Sequence, residues 1–577
     1  MKVRKFISVV VTLALVLILS GIWVYANSEQ APEQYSSCTA IAVSPGASAD
    51  GSSMTTQNED SGTDNFHLSM VPAADYESGT MRPVLGRTQH GPYKQLSEPI
   101  FSPGEIPQVA HTYAYTNTFP FPFQNEKQVG MGGASIGGRS ELPNKDGLIH
   151  IFELQRIALE RSSTAREAIQ IMGSLAEKYG FAIKTYTSTT SGTGECIPVI
   201  DPNEAWFFEI YGPGPLWKPG SDQLGAVWVA QRVPEGEVGV CSNRSRIGAI
   251  DLDDPDNFMA SANIYTLAEE MGWWSKESGK DFKVYETYGY KAYSPYNARR
   301  EWRVLSLFAP SLDLDPWLER YPFSVKPDKP VTPQDVMRIN RDYYEGTEYD
   351  LTKGLAAGPF GCPNRYPTPG AQNPEGSSGW ERAISLFRTV YSTVVIARKD
   401  MPDWIGGLTW FGYDAPHTTC YFPIYCGVTE LPESFNKGMR GGAYDVFSRE
   451  SAWWAFNFVS NWADLKYSYM IEDIKAVRDP FEAEFFALQP VIEKSAIELY
   501  KQNPALAQSF LTTYTNSCAT RVVAAYWKLA SQLVGRYADG YVYGDDTYKL
   551  DSVGYPDWWM KAVDFGKSTI PPAGYPK

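Results

Sequence analysis

The sequence predicts an α+β fold, and three observations support this prediction. Residues 38–60 read as two short strands joined by a tight turn, which is the pattern of a β-hairpin. Strand patterns separated by turn residues return between residues 197 and 241. Helical periodicity governs residues 148–179 and much of 451–533. We therefore expect strands combined with helical segments, including a helical C-terminal part.

The opening hairpin is the most informative segment. Residues 39–43 alternate larger and smaller side chains, which predicts a half-buried strand. Asp50-Gly51 is a strong turn signal, because glycine accepts a positive φ without steric cost. The return strand, residues 52–57, ends in the polar cluster 58–60, Asn-Glu-Asp. The hairpin is therefore expected to bring this acidic cluster close to Cys38.

These residues carry a resemblance to a known family. The Cys-Thr-x-Ile opening at Cys38, the Asp-Gly-Ser turn and the closing Asn-Glu-Asp resemble the start of the mature chain in bacterial cysteine dipeptidases. Further similar segments extend to about Lys466. Those enzymes are N-terminal-nucleophile hydrolases, in which a leader is removed autocatalytically and the exposed first residue attacks the substrate. The resemblance implies that Cys38 is this residue and that the fold is a four-layer αββα sandwich with helical insertions.

The chemistry of an N-terminal cysteine supports that role independently. A free thiol has a pKa of about 8.5, and an α-amino group with a pKa near 8 can accept its proton. Taken alone, Cys38 is more typical of a disulfide partner or a structural thiol. A lipidated cysteine is disfavoured, because the polar stretch Asn27–Ser37 separates Cys38 from the apolar segment.

Composition excludes several classes of function. The chain has 577 residues and a net charge of -15, which argues against a nucleic-acid partner. Seven cysteines are an odd number, so at least one thiol is unpaired within the monomer. The five histidines form no His-Glu-x-x-His motif and there is no Cys-x-x-Cys pair, so we expect neither a metal nor another cofactor.

The chain divides into four predicted regions. Residues 1–26 have a basic start and a long apolar run, typical of a secretory signal or, if uncleaved, of a membrane anchor. Residues 27–37 are a short propeptide, residues 38–470 the hydrolase domain with insertions, and residues 471–577 a helical extension packed on the same domain. A secreted or cell-surface protein is expected, with membrane contact only through the N-terminal segment.

A glycine-rich run at residues 125–135 invites a nucleotide-binding interpretation. No Lys-Ser/Thr pair follows it, so it is not a P-loop. The resemblance implies a strand and a glycine turn near the nucleophile, with Gly133 and Ala134 at the substrate. Backbone N–H groups approach a carbonyl easily at such small residues. A glycine-rich strand end without a catalytic role is the alternative.

Four more residues are singled out. Asn243 lies in a Ser-Asn-Arg segment after a strand. The resemblance implies that it is the asparagine with which related hydrolases donate to the oxyanion. An asparagine that only forms a turn after a strand is the commoner case and is the alternative. Arg299 and Arg300 are candidate ligands for a substrate carboxylate, with surface ion pairs on a helix as the alternative. His417 invites a Cys–His dyad, but we interpret it as structural because an N-terminal thiol carries its own base.

The predicted function is hydrolysis of dipeptides or other short peptides. In this interpretation Cys38 attacks the carbonyl, Asn243 holds the oxyanion, and Asp60 orients the α-ammonium group. One departure is Gln57, where the family usually has arginine, so a positive charge beside the nucleophile is lost. An acylase acting on non-peptide amides and a catalytically inactive secreted binding protein are the alternatives. The oligomeric state stays open, a homo-oligomer included.

Overall fold

The computed structural model describes most of the chain from Cys38 onward. The described residues are 38–60, 67–85, 102–118, 121–182, 193–289, 295–366, 381–437, 447–544 and 550–566. The predicted signal segment and propeptide lie outside these ranges, so their prediction is not tested.

The strands pair in an antiparallel manner. Their bounds are β1 (Ala40–Val43), β2 (Ser53–Glu59), β3 (Leu68–Val71), β4 (Ala74–Asp75), β5 (Met81–Val84), β6 (Gly104–Pro107), β7 (His111–Thr112), β8 (Tyr115–Thr118), β9 (Gln124–Asn125), β10 (Gly130–Met131), β11 (Ala134–Ile136), β12 (Gly194–Ile200), β13 (Ala205–Tyr211), β14 (Val227–Arg232), β15 (Val238–Cys241), β16 (Phe258–Ala260), β17 (Ser324–Val325), β18 (Tyr391–Ala397), β19 (Leu408–Tyr413), β20 (Phe422–Tyr425), β21 (Tyr541–Tyr543) and β22 (Leu550–Ser552).

Two large sheets form the centre of the molecule. The first has seven strands in the order β17-β15-β1-β2-β18-β19-β20. The second has nine strands, ordered β16-β14-β13-β12-β10-β9-β8-β3, with β11 also paired to β12. Strands β1 and β2 contact β12 and β13, so the sheets pack face to face. The opening hairpin therefore occupies the middle of the first sheet.

The inner strands are more buried than the sequence predicts. Every residue of β1 and β2 is buried, as is every residue of β12 and β13. The prediction of a half-buried first strand is therefore wrong. The nine-stranded sheet covers one face of β1, and elements packed on the seven-stranded sheet cover its other face. The small residues that alternate with the larger ones in β1 are therefore buried as well.

The helices alternate with the strands along the chain, and the two longest come near its C-terminal end. Their bounds are α1 (Ile151–Arg161), α2 (Ala165–Tyr179), α3 (Thr266–Glu270), α4 (Val284–Thr287), α5 (Pro295–Phe308), α6 (Pro333–Asn340), α7 (Asp403–Gly406), α8 (Glu433–Asn436), α9 (Ala452–Ala463), α10 (Tyr467–Gln502), α11 (Pro504–Arg536) and α12 (Asp557–Ala562). Short 3₁₀ segments occur at Pro45–Ala47, Lys276–Ser278, Pro310–Leu312, Leu355–Ala357, Asp464–Lys466 and Ala538–Gly540.

Each sheet is contacted by its own helices. Helix α2 contacts β12, β13 and β14, and α1 contacts β8 and β9. On the seven-stranded sheet, α5 contacts β15, α6 contacts β18, α9 contacts β19, and α10 and α11 contact β20. The predicted combination of antiparallel strands with helices and a helical C-terminal part is confirmed.

The long C-terminal helices continue the fold without a break. Helix α10 spans the predicted boundary between residues 470 and 471. Only Asn503 separates it from α11, whose first turn it caps by accepting the backbone N–H of Ala505 at 3.0 Å. Within the described ranges, no helix is both long enough and apolar enough to cross a membrane.

Candidate active site

Cys38 lies just before β1 and faces Glu59, the last residue of β2. The antiparallel register pairs Thr39 with Asn58, which places Glu59 opposite Cys38. The thiol of Cys38 donates to Glu59 Oε2 at 3.1 Å. The prediction that the hairpin brings the acidic cluster to the cysteine is therefore confirmed.

Gln57 fixes the position of this carboxylate. Its Nε2 donates to Glu59 Oε2 at 2.8 Å, and its Oε1 accepts the backbone N–H of Gly133 from the opposite sheet. Neighbouring Gly132 permits the close approach, because a Cβ there would overlap the backbone oxygen of Thr56. A neutral amide thus links the two sheets where the resemblance leads one to expect an arginine.

The surroundings of Cys38 keep its thiol protonated. The residue is fully buried, and burial raises its pKa well above the ordinary value, with the carboxylates of Glu59 and Asp60 raising it further. A hydrogen bond from the backbone of Asp60 acts in the opposite direction. The described chain therefore requires a base, or a change of charge beside the sulfur, before Cys38 becomes a thiolate.

The Asp60 side chain is committed to a buried ion pair. Its carboxylate pairs with the guanidinium of Arg382 and accepts the hydroxyl of Thr389. Burial raises the pKa of Asp60, while Arg382 and Thr389 lower it. The predicted role of Asp60, orienting the α-ammonium of Cys38, stays a prediction. The described contacts of its carboxylate are with Arg382 and Thr389, and its backbone hydrogen-bonds the sulfur of Cys38.

Removing the guanidinium of Arg382 is expected to destabilise the protein. Both side chains of the Asp60–Arg382 pair are fully buried, so Arg382→Met leaves a buried carboxylate without its ion-pair partner. We expect a loss of about 3–5 kcal/mol in the free energy of unfolding, measured by urea denaturation. The exposed pair Arg521–Glu484 provides the control, since Arg521→Met should lower the free energy by less than about 1 kcal/mol. Equal losses in the two variants would contradict a structural role for the buried pair.

Arg300 positions the nucleophile through its backbone. All five N–H groups of a guanidinium are donors. Those of Arg300 meet protein acceptors just before β1, on the segment after β15 and on its own helix α5. The acceptors are Cys38 O at 2.8 Å, Thr39 Oγ1 at 2.9 Å, Ser242 O at 3.1 Å, Asn243 Oδ1 at 2.8 Å, Asn297 Oδ1 at 3.3 Å and Tyr296 O at 3.0 Å. Burial and the nearby Arg382 lower its pKa to about 10, so Arg300 remains charged at neutral pH. These contacts indicate a positioning role, and its binding of a substrate carboxylate stays a prediction.

The orientation of the Asn243 amide follows from its partners. Oδ1 accepts from Arg300 at 2.8 Å and from Arg382 at 3.1 Å, so the oxygen and nitrogen are assigned without ambiguity. Nδ2 donates one N–H to Ser135 O at 2.7 Å. Among the described residues, its second N–H meets no acceptor. Because Arg300 contacts both this amide and the carbonyl of Cys38, the structure brings Asn243 to the nucleophile.

Arg299 points to a different environment from Arg300. Its guanidinium lies 3.4 Å from the ring centroid of Tyr349 and 4.4 Å from that of Trp317, as in a cation–π contact. Its Nε lies 3.8 Å from a carboxylate oxygen of Glu381. Burial raises the pKa of Glu381 to about 7, against the opposing effect of Arg299. The two arginines predicted as a pair thus occupy separate sites.

The predicted glycine turn lies beside the nucleophile. Gly133 gives its N–H to Gln57 and packs so closely on Phe121 that a Cβ would lie 2.8 Å from the ring. Ala134 begins β11 and pairs with Cys196 on β12. The segment is brought to the site, whereas its direct binding of substrate stays a prediction.

His417 is buried away from solvent. Its Nδ1 lies 2.7 Å from Ser385 Oγ, and its ring contacts Tyr343 and Tyr467. Burial, together with Arg478 and Arg341, lowers its pKa to about 3. A histidine that stays neutral in an aromatic environment fits the structural role expected for it.

The described residues present no arrangement typical of a metal site. No group of three or more histidine, cysteine, aspartate or glutamate residues in these ranges has the geometry to hold a metal ion. All seven cysteines are free thiols.

Two members of the site were not singled out from the sequence. Glu59 shares a face of β2 with Gln57, since residues two apart on a strand point the same way, but the prediction ended the strand at Gln57. Arg382 lies 322 residues from Asp60, and no local pattern in the sequence links the two.

Comparisons with known proteins identify the family of the chain. The model of peptidase family C69 matches residues 37–479. A probable dipeptidase of Latilactobacillus sakei is 25% identical over 523 residues, covering 87% of this chain and 95% of its own. A probable dipeptidase of Salmonella dublin is 26% identical, covering 72% of this chain and 87% of its own.

One solved structure is a distant neighbour. A mutant conjugated bile acid hydrolase from Clostridium perfringens aligns with a TM-score of 0.29 and 11% identity, over 67% of this chain and 92% of its own. That similarity is too low to identify the fold. The family match, in contrast, covers most of the chain and confirms both the resemblance and the prediction of a cysteine-type peptidase. The chain belongs to peptidase family C69.

Proposed function

We propose that this protein hydrolyses the peptide bond of dipeptides or other short peptides, with Cys38 as an N-terminal nucleophile that the chain exposes by cleaving its own Ser37–Cys38 bond. The relatives named as dipeptidases support the substrate class. The family match supports the position of the nucleophile, because it begins at residue 37, one residue before Cys38.

One observation carries the proposal. Cys38 is held from three sides: Arg300 binds its carbonyl at 2.8 Å, the backbone of Asp60 hydrogen-bonds its sulfur, and Glu59 accepts its thiol at 3.1 Å.

Similar contacts occur at Cys362, where Asp464 accepts the thiol and Arg365 binds the carbonyl. Cys38 differs because it is fully buried and lies directly before β1 in the middle of the seven-stranded sheet. A sulfur fixed by charged groups at the start of a buried strand is what a nucleophile requires.

The first half of the reaction consumes the peptide bond. The free α-amine of Cys38 takes the thiol proton, and Sγ forms a bond to the carbonyl carbon of the substrate. The carbonyl oxygen becomes an oxyanion, to which Asn243 donates its second N–H. As the carbon–nitrogen bond breaks, the ammonium of Cys38 returns the proton to the leaving amine. The products of this half are a thioester and a free amine.

The second half restores the enzyme. Water attacks the thioester, and the α-amine of Cys38 takes one of its protons. The carbon–sulfur bond breaks, the carboxylic acid leaves, and the proton passes to the thiolate. An amide nitrogen cannot accept a proton in this way, so the mechanism requires prior cleavage of Ser37–Cys38.

The proposal also covers the fold of the protein and its export from the cell. Two facing antiparallel sheets, each contacted by helices, support a four-layer αββα sandwich. The basic start and apolar run of residues 1–26 support export, and a secreted or surface-held protein is the expected result.

A panel of substrates tests the function. The processed protein is incubated with neutral dipeptides, with tripeptides and with N-acylated non-peptide amides, and released amines are quantified. Release of amino acids from dipeptides, abolished by alkylation of the thiol, supports the proposal. Cleavage restricted to non-peptide amides would make the protein an acylase. A processed protein that cleaves nothing but binds peptides would be a binding protein.

A further inference from the structure

Two buried thiols that the proposed reaction does not use lie on facing strands of the two large sheets. Cys196 is on β12 of the nine-stranded sheet, and Cys241 is the last residue of β15 in the seven-stranded sheet. Both are 0% exposed. Burial raises the pKa of Cys196, and a hydrogen bond with the thiol of Cys241 raises it further. The two sulfur atoms are therefore neighbours.

The strand register shows independently that both side chains point between the sheets. A Cβ on Gly239 would lie 2.7 Å from the ring of Phe207 in the opposite sheet. Cys241 follows Gly239 by two residues on the same strand, so it points the same way. Glu209 points with Phe207 towards the seven-stranded sheet, and Cys196 is paired directly with Glu209. Both thiols thus lie in the layer between the two sheets.

Hydrogen bonds join the two sheets directly beside these thiols. The Asn243 amide donates to Ser135 O at 2.7 Å, and the N–H of Gly137 donates to Asn243 O at 3.4 Å. Asn243 follows Cys241 by two residues, and Ser135 lies on β11, whose first residue is paired with Cys196. The two strands are therefore held close together where the thiols lie, as a short covalent link requires.

The other five cysteines have different partners. The sulfur atoms of Cys38, Cys362, Cys420, Cys426 and Cys518 lie against Glu59 Oε2, Asp464 Oδ1, Tyr421 O, Asp403 O and the Tyr514 side chain, respectively. Cys196 and Cys241, in contrast, contact each other. They are the pair that the fold brings together from two different sheets.

We propose that Cys196 and Cys241 form a disulfide bond that joins the two sheets beside the active site. The oxidant is an external disulfide, either glutathione disulfide or that of a thiol oxidoreductase. One cysteine thiolate attacks it, forms a mixed disulfide and releases one external thiol. The second cysteine thiolate then displaces the other external thiol, so that two protons and two electrons leave the cysteine pair. The bond forms during folding, because fully buried, protonated thiols are poor nucleophiles that an oxidant cannot reach.

The bond stabilises segments that carry the site. Cys241 precedes Asn243 by two residues and is paired with Ala40, on the strand that follows Cys38. Cys196 is paired with the first residue of β11, next to the glycine turn. A link between them restricts the unfolded chain and thereby favours the folded one. Its formation in the cell rests on the export that is part of the proposed function, since exported proteins meet an oxidising environment.

Synthesis of the full chain under two redox conditions tests the bond. One cell-free reaction contains glutathione disulfide, and the other contains excess dithiothreitol. Both products are alkylated in denaturant and digested without reduction. In the first product, we expect Cys196 and Cys241 to escape alkylation and to appear in one cross-linked peptide, about 2 Da lighter than the two thiol peptides together. The oxidised protein should also unfold at a higher urea concentration than the reduced one.

Single substitutions assign this difference in stability to the pair. Cys196→Ala and Cys241→Ala should each unfold at the same urea concentration under both redox conditions. Cys518→Ala, which removes a buried sulfur outside the pair, should keep the difference. If an alanine variant of the pair fails to fold, the digest of the wild type decides alone.

The digest of the wild type can also overturn the proposal. Alkylation of all seven thiols after synthesis with glutathione disulfide would do so, as would a glutathione adduct on either thiol in place of the link, or a link to another cysteine. None of these results depends on hydrolysis. An active enzyme without the cross-link overturns the disulfide alone, and a processed, cross-linked protein that hydrolyses no dipeptide overturns the proposed function alone.

Discussion

Replacing Cys38 by alanine is expected to give a protein that keeps the residues before position 38 and hydrolyses no peptide. Both losses follow from one missing atom, because the sulfur that attacks the substrate is also the one that attacks the Ser37 carbonyl. The rate should fall by a factor on the order of 10⁴ or more, as for other nucleophile deletions. Intact-mass measurement reports the leader, and release of amino acids from dipeptides reports the activity.

The matched control is a buried thiol elsewhere in the fold. Cys518 on α11 is 1% exposed, so Cys518→Ala tests the loss of a core sulfur without touching the site. This variant should be processed and active. An active wild type that still carries residues before Cys38 would refute the N-terminal-amine mechanism, since the only base proposed for the thiol would then be an amide.

Local signals in the sequence predicted the elements that depend on neighbouring residues. Helix α2 begins after Thr164, whose side chain accepts the backbone N–H of Glu167, and ends at Gly180 with a φ of 83°. A threonine that caps the first turn and a glycine directly after the last turn are both local sequence signals of helix ends. The turn at Asp50-Gly51 likewise specified the hairpin, because Gly51 has a φ of 76°. Such contacts span a few residues, so a single sequence contains them.

The burial of the first strand was harder to predict, because it depends on which elements pack on each face of the sheet. The alternation in residues 39–43 suggested one buried and one exposed face, yet Ala40 and Ala42 are as buried as Ile41 and Val43. Their small size suits an interior position between layers rather than a solvent-facing one. The residues of β1 alone do not indicate that both faces of the strand are covered by other elements.

The charge network around Cys38 was beyond the reach of sequence patterns. Asp60, Asn243, Arg300 and Arg382 come from four distant segments, and their pairing depends on the fold. The family resemblance singled out Arg300 as a candidate ligand for a substrate carboxylate. Its actual contacts are with backbone and side chains of the site, which the resemblance did not specify.

Removing the amide of Asn243 is expected to lower kcat by about a hundredfold while the protein still folds and matures. Asn243 has a φ of 71°, so Asn243→Ala also places an alanine in the left-handed region at a cost of about 1–2 kcal/mol. Asn243→Gly removes the same amide without that strain. Both variants should show the same loss of kcat, and only the alanine variant should show the full loss of stability.

A second substitution separates the oxyanion donor from the support that Asn243 gives to Arg300. Asn297 Oδ1 also accepts from Arg300 at 3.3 Å, and Asn297 Nδ2 donates to the backbone oxygen of Asn243 at 3.4 Å. Asn297→Ala therefore removes these two long contacts and leaves the side-chain amide of Asn243 with its own partners. Its kcat should fall by no more than about threefold, the effect of a weak hydrogen bond. A fall as large as that of Asn243→Gly would mean that the Asn243 amide acts through Arg300. An unchanged kcat in a processed, folded Asn243→Gly protein would remove Asn243 from the reaction and leave the oxyanion to backbone N–H groups.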